Sequence, residues 1–210
     1  MHRQAVLFPD VVFRFAATDE KTIALTFDDG PDPITPQLLD ILADETVPAT
    51  FYVLGSNVNQ FPDIARRIVA DGHEIANHSW SHADFIGLTD EEILKNELLP
   101  TSQITFDVTG VYPKTMRPPY GNLRDETIPF LDEEGWKIIG WSVDTADWDR
   151  TRNSPEEIIS RALNDRHPGA IVLMHSGYVM QNTVLALPEI IRGLKAEGYR
   201  FARVSELLGL

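Results

Sequence analysis

The chain alternates short apolar segments with segments of helical periodicity, and this alternation restricts its possible folds more than any other feature. In residues 21–27 the side chains of Ile23, Leu25 and Phe27 share one side, which is typical of a strand. Residues 169–174 form a continuous apolar run, which predicts a strand covered on both faces. The predicted strands span residues 21–27, 49–54, 73–77, 114–117, 136–143, 169–174 and 199–204.

Helical segments lie between these strands and carry start signals. Ser154 caps a helix that has Pro155 at its first position and Glu157 at its third. Thr89 with Glu92 predicts a similar cap. Predicted helices span residues 35–45, 61–71, 90–108, 123–134 and 183–197, with a further helix starting at Ser154.

About seven β-α units in succession predict an α/β fold with parallel strands, because right-handed crossovers keep successive strands parallel. A doubly wound open sheet and a closed or nearly closed barrel both fit this pattern. Polar residues cluster at the carboxyl ends of the strands, the rim where β/α barrels gather catalytic loops, and this favours the barrel. We predict one domain over residues 1–210, with residues 1–20 forming an N-terminal strand or cap.

Composition narrows the possible partners. The chain has 18 Lys and Arg against 32 Asp and Glu, a formal net charge of −14, which argues against a nucleic-acid or anionic-membrane partner. It has no cysteine, which excludes disulfides, thiolate zinc sites and cysteine nucleophiles. No apolar stretch is long enough to cross a bilayer, and residues 1–20 lack the features of a signal peptide. We therefore expect no membrane insertion.

Two adjacent carboxylates, Asp28 and Asp29, follow the first predicted strand and precede Gly30 and Pro31. Side chains of neighbouring residues on extended backbone point in opposite directions, so these two cannot easily share one task. We expect one carboxylate to bind a metal while the other faces a substrate as a base. An ordinary acidic turn is the alternative explanation.

The motif His78-Ser-Trp-Ser-His82 places two histidines four residues apart. This spacing predicts two imidazoles on one face of a helical turn, within reach of a common ion. Two histidines and one carboxylate with an open fourth position are typical of catalytic zinc sites. A pair of surface histidines is the alternative, and Co²⁺, Ni²⁺ or Fe²⁺ would fit the same donors.

His175 ends the apolar strand at 169–174, and Asp147 follows the preceding strand. Asp147 could orient the imidazole and favour its protonated form, so that His175 donates a proton. A structural histidine is the alternative. Trp148 could form an apolar wall of a pocket or simply pack in the core, and Asp144 is expected to be structural.

The segment Arg117-Pro-Pro-Tyr120 follows the fourth predicted strand. Arg117 could pair with Asp28 and keep it ionised. The prolines stiffen the loop and could present the backbone N–H of Tyr120 to a developing oxyanion. An ordinary rigid loop is the alternative.

Taken together and in this order, these residues resemble the polysaccharide deacetylases of carbohydrate esterase family 4, the NodB-homology proteins. The resemblance implies a distorted, incomplete (β/α)7 barrel. It rests on five motifs: Thr26-Phe-Asp-Asp-Gly-Pro31, His78-Ser-Trp-Ser-His82, Arg117-Pro-Pro-Tyr120, Asp144-Thr-Ala-Asp-Trp148 and Leu173-Met-His175.

The resemblance implies a role for each reacting residue. Asp29, His78 and His82 would bind a divalent metal, usually Zn²⁺. Asp28 would be the general base, and His175 would be the general acid that protonates the leaving group.

The same resemblance implies supporting residues. Arg117 would hold Asp28, Asp147 would tune His175, and Tyr120 would offer its backbone N–H to the oxyanion. Trp148 and Leu173 would line the acetyl pocket, which makes them substrate-binding residues together with Tyr120.

The activity implied is metal-dependent removal of acetyl groups from polysaccharides containing N-acetylglucosamine, such as chitin oligomers or peptidoglycan. An O-deacetylase acting on acetylxylan and a catalytically silent glycan-binding relative are alternatives. A glycosidase is disfavoured because adjacent Asp28 and Asp29 do not flank one bond. We expect a monomer with a polysaccharide or oligosaccharide as partner. It would be extracellular or in the cell envelope because polymers cannot enter a cell.

Overall fold

The structure, a computed structural model, describes residues 1–177 and 180–210. The strands found in these residues are short, and every pairing between named strands is parallel, as predicted. Their bounds are β1 (Val12–Phe13), β2 (Thr22–Asp28), β3 (Thr50–Val53), β4 (Glu74–Asn77), β5 (Thr115–Met116), β6 (Lys137–Ile139), β7 (Val143–Asp144), β8 (Ile171–His175) and β9 (Arg200–Phe201).

Helices alternate with the strands and bury the outer face of the sheet. Their bounds are α1 (His2–Leu7), α2 (Thr35–Asp44), α3 (Gly55–Gln60), α4 (Pro62–Ala70), α5 (Asp90–Glu92), α6 (Leu99–Thr109), α7 (Thr127–Glu133), α8 (Pro155–Asn164), α9 (Gln181–Ala196) and α10 (Val204–Leu208). Of the helices described, none combines the length and the apolar character needed to span a membrane. The strand predicted at 199–204 is shortened to β9, because α10 begins at Val204.

The sheet curls into an incomplete barrel. Its strands lie in the order β1, β6, β5, β4, β3, β2, β8 and β7, and β9 pairs with the start of β2. β6 and β7 belong to one stretch of chain, interrupted only by residues 140–142, yet β6 pairs with β5 while β7 pairs with β8. This stretch therefore brings the two ends of the sheet together. The predicted single-domain barrel is confirmed, and the open doubly wound sheet is not what forms.

The two faces of β2 show how the barrel is filled. Ile23, Leu25 and Phe27 belong to the large core between the sheet and its helices. The alternate residues point to the other face, where Ala24 joins a small apolar cluster. Asp28 ends this inner row, so the alternation of the strand directs its carboxylate into the barrel mouth.

Residues 1–20 contain α1 and β1. β1 pairs with β6, so it extends the sheet at one edge. Beyond β1, Phe15 forms an antiparallel bridge with Ala170, and the Ala16 N–H donates to the Gly169 carbonyl at 2.8 Å. The N-terminal segment therefore runs from the β6 edge to the start of β8, across the place where the barrel is incomplete.

The helix predicted over residues 90–108 contains a π-helical stretch. It begins with the predicted capping box of Thr89 and Glu92, passes through π-helical residues Ile93–Leu98, and continues as α6. Pro100 lies at the start of α6 and has no N–H to donate to the carbonyl of Asn96. The loss of that hydrogen bond is a local reason for the wider helical turn.

Gly169 provides a test of how the barrel closes. Its φ is +75°, and a Cβ at this position would overlap the carbonyl oxygen of Ala16. We predict that Gly169→Ala lowers the free energy of unfolding by about 2–5 kcal/mol, the sum of left-handed strain and overpacking. Urea denaturation measures this change.

The matched control is Gly72→Ala. Gly72 also has a left-handed φ, of +86°, but no atom lies within 4 Å of the added Cβ. Only the left-handed strain remains, so we expect Gly72→Ala to lower the free energy of unfolding by about 1–2 kcal/mol. Equal losses in the two variants would contradict the close approach at Gly169.

Candidate active site

A pocket of about 390 Å³ opens at the carboxyl ends of the barrel strands. The predicted site residues line it, except that Arg117 and Asp147 are buried behind it against lining residues. The predicted clustering of polar side chains at one rim is therefore observed. The lining residues are Asp28, Asp29, His78, His82, Pro118, Tyr120, Gly121, Trp141, Asp144, Trp148, Leu173, His175 and Met180.

The register between β2 and β8 places Asp28 opposite His175. Paired residues on neighbouring parallel strands direct their side chains to the same face of the sheet. Beyond this pair, the Ser176 N–H donates to the Asp28 carbonyl at 2.8 Å. The two predicted proton-transfer groups therefore reach the same barrel mouth from adjacent strand ends.

Asp28 forms a buried ion pair with Arg117. Nη1 of Arg117 lies 2.7 Å from Oδ1 of Asp28, and the two side chains are 0% and 3% exposed. Nη1 also lies 2.9 Å from Oγ of Thr26, while Nε and Nη2 donate to the carbonyls of Ile139 and Gly140. One guanidinium therefore joins the end of β5 to β2 and to the stretch that closes the barrel.

Asp28 and Asp29 do not diverge, so the expectation of opposite directions was wrong. Oδ1 of Asp29 lies 3.4 Å from Nε2 of His78, and Oδ2 of Asp28 lies 3.8 Å from the same nitrogen. The reason is the left-handed φ of +75° at Asp29, which ends the extended backbone. The side-chain amide of Asn57 donates to the Asp29 carbonyl at 2.7 Å and supports this conformation.

Asp29, His78 and His82 each direct one donor atom to a common point, and these atoms lie within 4.8 Å of one another. Nε2 of His82 lies 3.3 Å from Oδ1 of Asp29. That carboxylate oxygen is buried and accepts no hydrogen bond that the structure describes. Two imidazole nitrogens beside an unsatisfied carboxylate oxygen fit a divalent metal ion.

Hydrogen bonding around the first histidine also suits a metal ligand. Nδ1 of His78 lies 2.8 Å from the carbonyl of Arg117, so it carries the proton and leaves the lone pair of Nε2 free. His78 is buried, and burial by itself would lower its pKa, but Asp28 and Asp29 raise it. Burial would raise the pKa of Asp29, yet the nearby histidines hold it well below its usual range. Asp29 is therefore ionised at neutral pH, as a metal ligand would need to be.

The segment between the two histidines is a loop and not a helical turn, so that part of the prediction was wrong. Ser79 and His82 have left-handed φ angles of +78° and +61°, which a helix does not contain. The Ser79 N–H donates to Oδ1 of Asn77, and the His82 N–H donates to Oγ of Ser79. These local hydrogen bonds fold the segment so that the imidazoles converge, with ring centroids 5.1 Å apart.

His175 and Asp147 form the predicted pair. Nδ1 of His175 lies 2.7 Å from Oδ1 of Asp147, whose other oxygen accepts the His175 N–H and the hydroxyl of Thr183. Burial by itself would lower the pKa of His175, but Asp147, with Asp28 and Asp29, raises it to about 9. The imidazole is therefore protonated at neutral pH and can donate a proton from Nε2.

Tyr120 lies in a short 3-10 turn (Pro119–Gly121) with a left-handed φ of +59°. The turn's internal hydrogen bonds start at the N–H groups of Gly121 and Asn122, so they do not use the Tyr120 N–H. The exposed ring packs edge-on against His82, with centroids 4.6 Å apart. Tyr120 thus lies beside the cluster of Asp29, His78 and His82.

Leu173 and Trp148 form an apolar side of the pocket. Leu173 is buried, whereas Trp148 is half-exposed, so the alternative that Trp148 packs in the core is wrong. Nε1 of Trp148 donates to Oδ1 of Asp144 at 3.3 Å. Asp144, expected to be structural, also lines the pocket and orients the indole.

Two further lining residues, Trp141 and Met180, were not predicted. Trp141 lies between β6 and β7, and its ring centroid is 5.7 Å from the guanidinium carbon of Arg117. Trp141 falls in the predicted strand at residues 136–143, where an aromatic side chain is expected to pack in the core. The sequence therefore did not indicate that Trp141 lines a pocket. Met180 precedes α9, and an isolated methionine carries no chemical signal.

Comparisons with known proteins point to one family. Residues 16–139 match the sequence model of a family described as polysaccharide deacetylase. The chain is 39% identical over 188 residues to a peptidoglycan-N-acetylglucosamine deacetylase of Bacillus cereus, covering 88% of this chain and 67% of that protein. It is 36% identical over 200 residues to a chitooligosaccharide deacetylase of Bradyrhizobium sp., covering 89% and 90%. A Listeria monocytogenes peptidoglycan-N-acetylglucosamine deacetylase is 42% identical over 194 residues, covering 92% of this chain but only 40% of its own length.

Solved structures share the fold. A peptidoglycan N-acetylglucosamine deacetylase in complex with an N-oxidanyl-benzamide superposes with a TM-score of 0.91 at 35% identity, covering 96% of this chain and 94% of that chain. A carbohydrate esterase family 4 pseudoenzyme from Bacillus anthracis superposes with a TM-score of 0.85 at 32% identity, covering 93% and 68%. Because this fold also occurs in a pseudoenzyme, the fold alone does not establish activity, and the site residues carry that argument.

The Arg117–Asp28 pair yields a stability prediction. Arg117→Met leaves the Asp28 carboxylate buried without its cation, and we expect the free energy of unfolding to fall by about 3–5 kcal/mol. Adding Asp28→Leu removes the unpaired charge, so the double variant is expected to be more stable than Arg117→Met alone. Urea denaturation at neutral pH measures both values.

Arg150→Met is the control, because Arg150 is exposed. We expect Arg150→Met to change the free energy of unfolding by no more than about 0.5 kcal/mol. If the double variant is no more stable than Arg117→Met, the loss does not come from an uncompensated carboxylate.

Proposed function

Because this chain belongs to the polysaccharide deacetylases, carbohydrate esterase family 4, we propose that it is a metal-dependent hydrolase that removes acetyl groups from N-acetylglucosamine-containing polysaccharides. The observation that carries the proposal is the convergence of Asp29, His78 and His82 in the pocket that Asp28 and His175 also line. This combination would supply a metal site, a carboxylate base and a protonated imidazole, the groups that metal-assisted hydrolysis of an acetamide needs.

The metal ligands would be Asp29, His78 and His82. Two neutral imidazoles and one carboxylate with an open position favour Zn²⁺, although Co²⁺, Ni²⁺ and Fe²⁺ accept the same donors. A divalent metal bound there supplies Lewis acidity, which polarises the acetyl carbonyl and acidifies water.

Asp28 would act as the general base. Its Oδ1 is engaged by Arg117, which leaves Oδ2, on the side of His78, to accept the proton of the attacking water. The buried guanidinium favours the ionised carboxylate that this step needs. Arg117 therefore acts through Asp28 and need not touch the substrate.

His175 would act as the general acid. Nδ1 is held by Asp147, so Nε2 is the nitrogen that can protonate the departing sugar amine. The Tyr120 N–H would donate to the oxyanion that forms at the acetyl carbon. Trp148 and Leu173 would contact the acetyl methyl group, since they form the apolar side of the pocket.

Chitin oligomers and peptidoglycan are the substrates that the relatives support. A net charge of −14 disfavours strongly anionic glycans, which mildly favours neutral chitin-like chains or xylan. Such polymers lie outside the cytoplasm, so we propose an extracellular or cell-envelope location. We further propose that the chain works as a monomer and that residues 1–20 cap the catalytic domain, as β1 and its extension to Ala170 suggest.

Acetate release tests the proposal. Purified protein loaded with Zn²⁺ is incubated with chitin oligomers, peptidoglycan and acetylxylan, and free acetate is measured. We predict turnover of the N-acetylglucosamine polymers, its loss after chelation, and its recovery when Zn²⁺ is added back.

Asp28→Asn and His175→Ala serve as matched variants, each expected to bind metal but to lose nearly all turnover, and Asp28→Asn is assayed well below its Tm because it leaves Arg117 buried without its counter-ion. Absence of acetate from every substrate would indicate a silent glycan-binding protein. Acetate from acetylxylan alone would indicate an O-deacetylase. Unchanged activity after verified metal removal would reject the metal role.

The role of Asp147 is tested by pH dependence. Asp147→Asn removes the charge that raises the pKa of His175, so this pKa should fall by about 1–2 units. Because a general acid must be protonated, activity is lost as pH rises through this pKa. The alkaline limb of the kcat/KM profile should therefore move to lower pH.

Asp165→Asn, at an exposed residue after α8, is the control and should leave the profile unchanged. If the alkaline limb of the Asp147→Asn profile stays at the same pH as in the wild type, this limb does not reflect the ionisation of His175.

A further inference from the structure

A buried glutamate holds the loop between the two histidine ligands. Oε2 of Glu97 accepts the backbone N–H groups of Trp80 and Ser81 at 2.8 and 2.9 Å. Oε1 of Glu97 accepts the hydroxyl of Ser81 at 2.8 Å. Glu97 is only 7% exposed, and both of its oxygens bond to the loop.

This loop has a backbone that needs external support. Ser79 and His82 both adopt left-handed φ angles, and such conformations cost of order 1–3 kcal/mol each for residues other than glycine. The bonds made by Glu97 lie between these two residues, on Trp80 and Ser81. Without them, the loop could relax toward less strained backbone and separate the two imidazoles.

The chemistry at this position favours a carboxylate. The three loop groups that face Glu97 are donors, namely two N–H groups and one hydroxyl, and a carboxylate offers two acceptor oxygens. A glutamine of the same shape offers one oxygen and would turn its NH₂ group toward a donor. Among the described residues, no Lys or Arg forms an ion pair with Glu97. The three loop donors are therefore the main interactions that offset the cost of burying its carboxylate.

The backbone that carries Glu97 is itself unusual. Glu97 lies in the π-helical stretch Ile93–Leu98, and π-helical turns are rare and frequently found at functional sites. The side-chain amide of Asn77 donates to the Leu98 carbonyl at 2.8 Å and to Oγ of Ser102 at 3.0 Å. Asn77 also accepts the Ser79 N–H, so the π-helical stretch is attached to both the loop and the end of β4.

We propose that Glu97 is a positioning residue that sets the relative placement of His78 and His82, acting through the backbone of Trp80 and Ser81. This inference rests on the proposed function, because it takes the two histidines to be metal ligands. Glu97 need not touch metal or substrate. Its effect is to keep both Nε2 atoms beside Asp29 before the ion arrives.

The test is Co²⁺ binding to Glu97→Gln, which requires no substrate. We expect the Co²⁺ affinity of this nearly isosteric variant, measured by competition with a chelator, to fall about 10-fold or more, as is typical when a residue supporting a metal ligand is changed. The visible absorption of the bound Co²⁺ should change as well, because the ligand geometry changes. A merely structural role would lower Tm and leave affinity and spectrum unaltered well below Tm.

Two further variants test whether the loss of Co²⁺ affinity comes from the bonds between Glu97 and the loop. Glu91→Gln lies on the same helical segment, is exposed and pairs with Lys95, so it should bind Co²⁺ like the wild type. Ser81→Ala removes only one of the three bonds to Glu97, so it should fold and show a smaller loss of affinity than Glu97→Gln.

The outcomes separate the two proposals. If the wild type binds no Co²⁺, the proposed metal-dependent function fails. If the wild type binds and Glu97→Gln binds equally tightly with the same spectrum, the role of Glu97 is overturned. If Glu97→Gln does not fold, an unchanged affinity in Ser81→Ala overturns the role and a weaker one supports it.

Discussion

The buried pair of Arg117 and Asp28 is the interaction on which the rest of the site depends. The guanidinium binds the Asp28 carboxylate on β2 and the carbonyls of Ile139 and Gly140, so it lies where the barrel closes. The Arg117 carbonyl accepts from Nδ1 of His78, which orients that imidazole. One residue therefore connects barrel closure, the charge of the proposed base and the direction of a proposed metal ligand. A charge buried this deeply requires its partner, so the site and the fold are stable together.

The second important feature is that several residues other than glycine have left-handed backbone angles, which nearby side chains stabilise. Five residues in the loops that carry the pocket lining adopt left-handed φ angles although none is glycine: Asp29, Ser79, His82, Tyr120 and Ala146. Buried polar side chains anchor the loops at several of these positions, with Asn57 on the Asp29 carbonyl and Glu97 on the loop before His82. Such support holds the donor atoms close to one another and lowers the reorganisation that binding and catalysis require.

Some features of the fold and the site could be predicted from the sequence, and others could not. The β-α alternation predicted an α/β fold with parallel strands, because apolar periodicity reports burial directly, and the clustering of polar residues at the strand ends favoured the barrel over an open sheet. The pairs Arg117–Asp28 and His175–Asp147 were predicted because strand ends of a parallel barrel meet at one rim. The direction of Asp29 was missed, since a single left-handed residue reverses a side chain and leaves little trace in the residue types. Glu97 was missed for a different reason: two of its three partners are backbone N–H groups, which nearly every residue has, and the third is the hydroxyl of Ser81.

The separate roles of Asp28 and Asp29 came from the resemblance to a family. The sequence by itself determined the alternation of strands with most of the helices, the rim that carries the polar residues, and the residue types there that could bind a metal or transfer a proton. It did so because hydrophobic period and side-chain chemistry are local properties of the chain. The tertiary structure alone decided that both Asp28 and Asp29 face His78, that the segment 78–82 is a loop, and that Glu97 and Asn77 hold it. Those features depend on backbone angles and on contacts between distant segments, and these exist only once the barrel has closed.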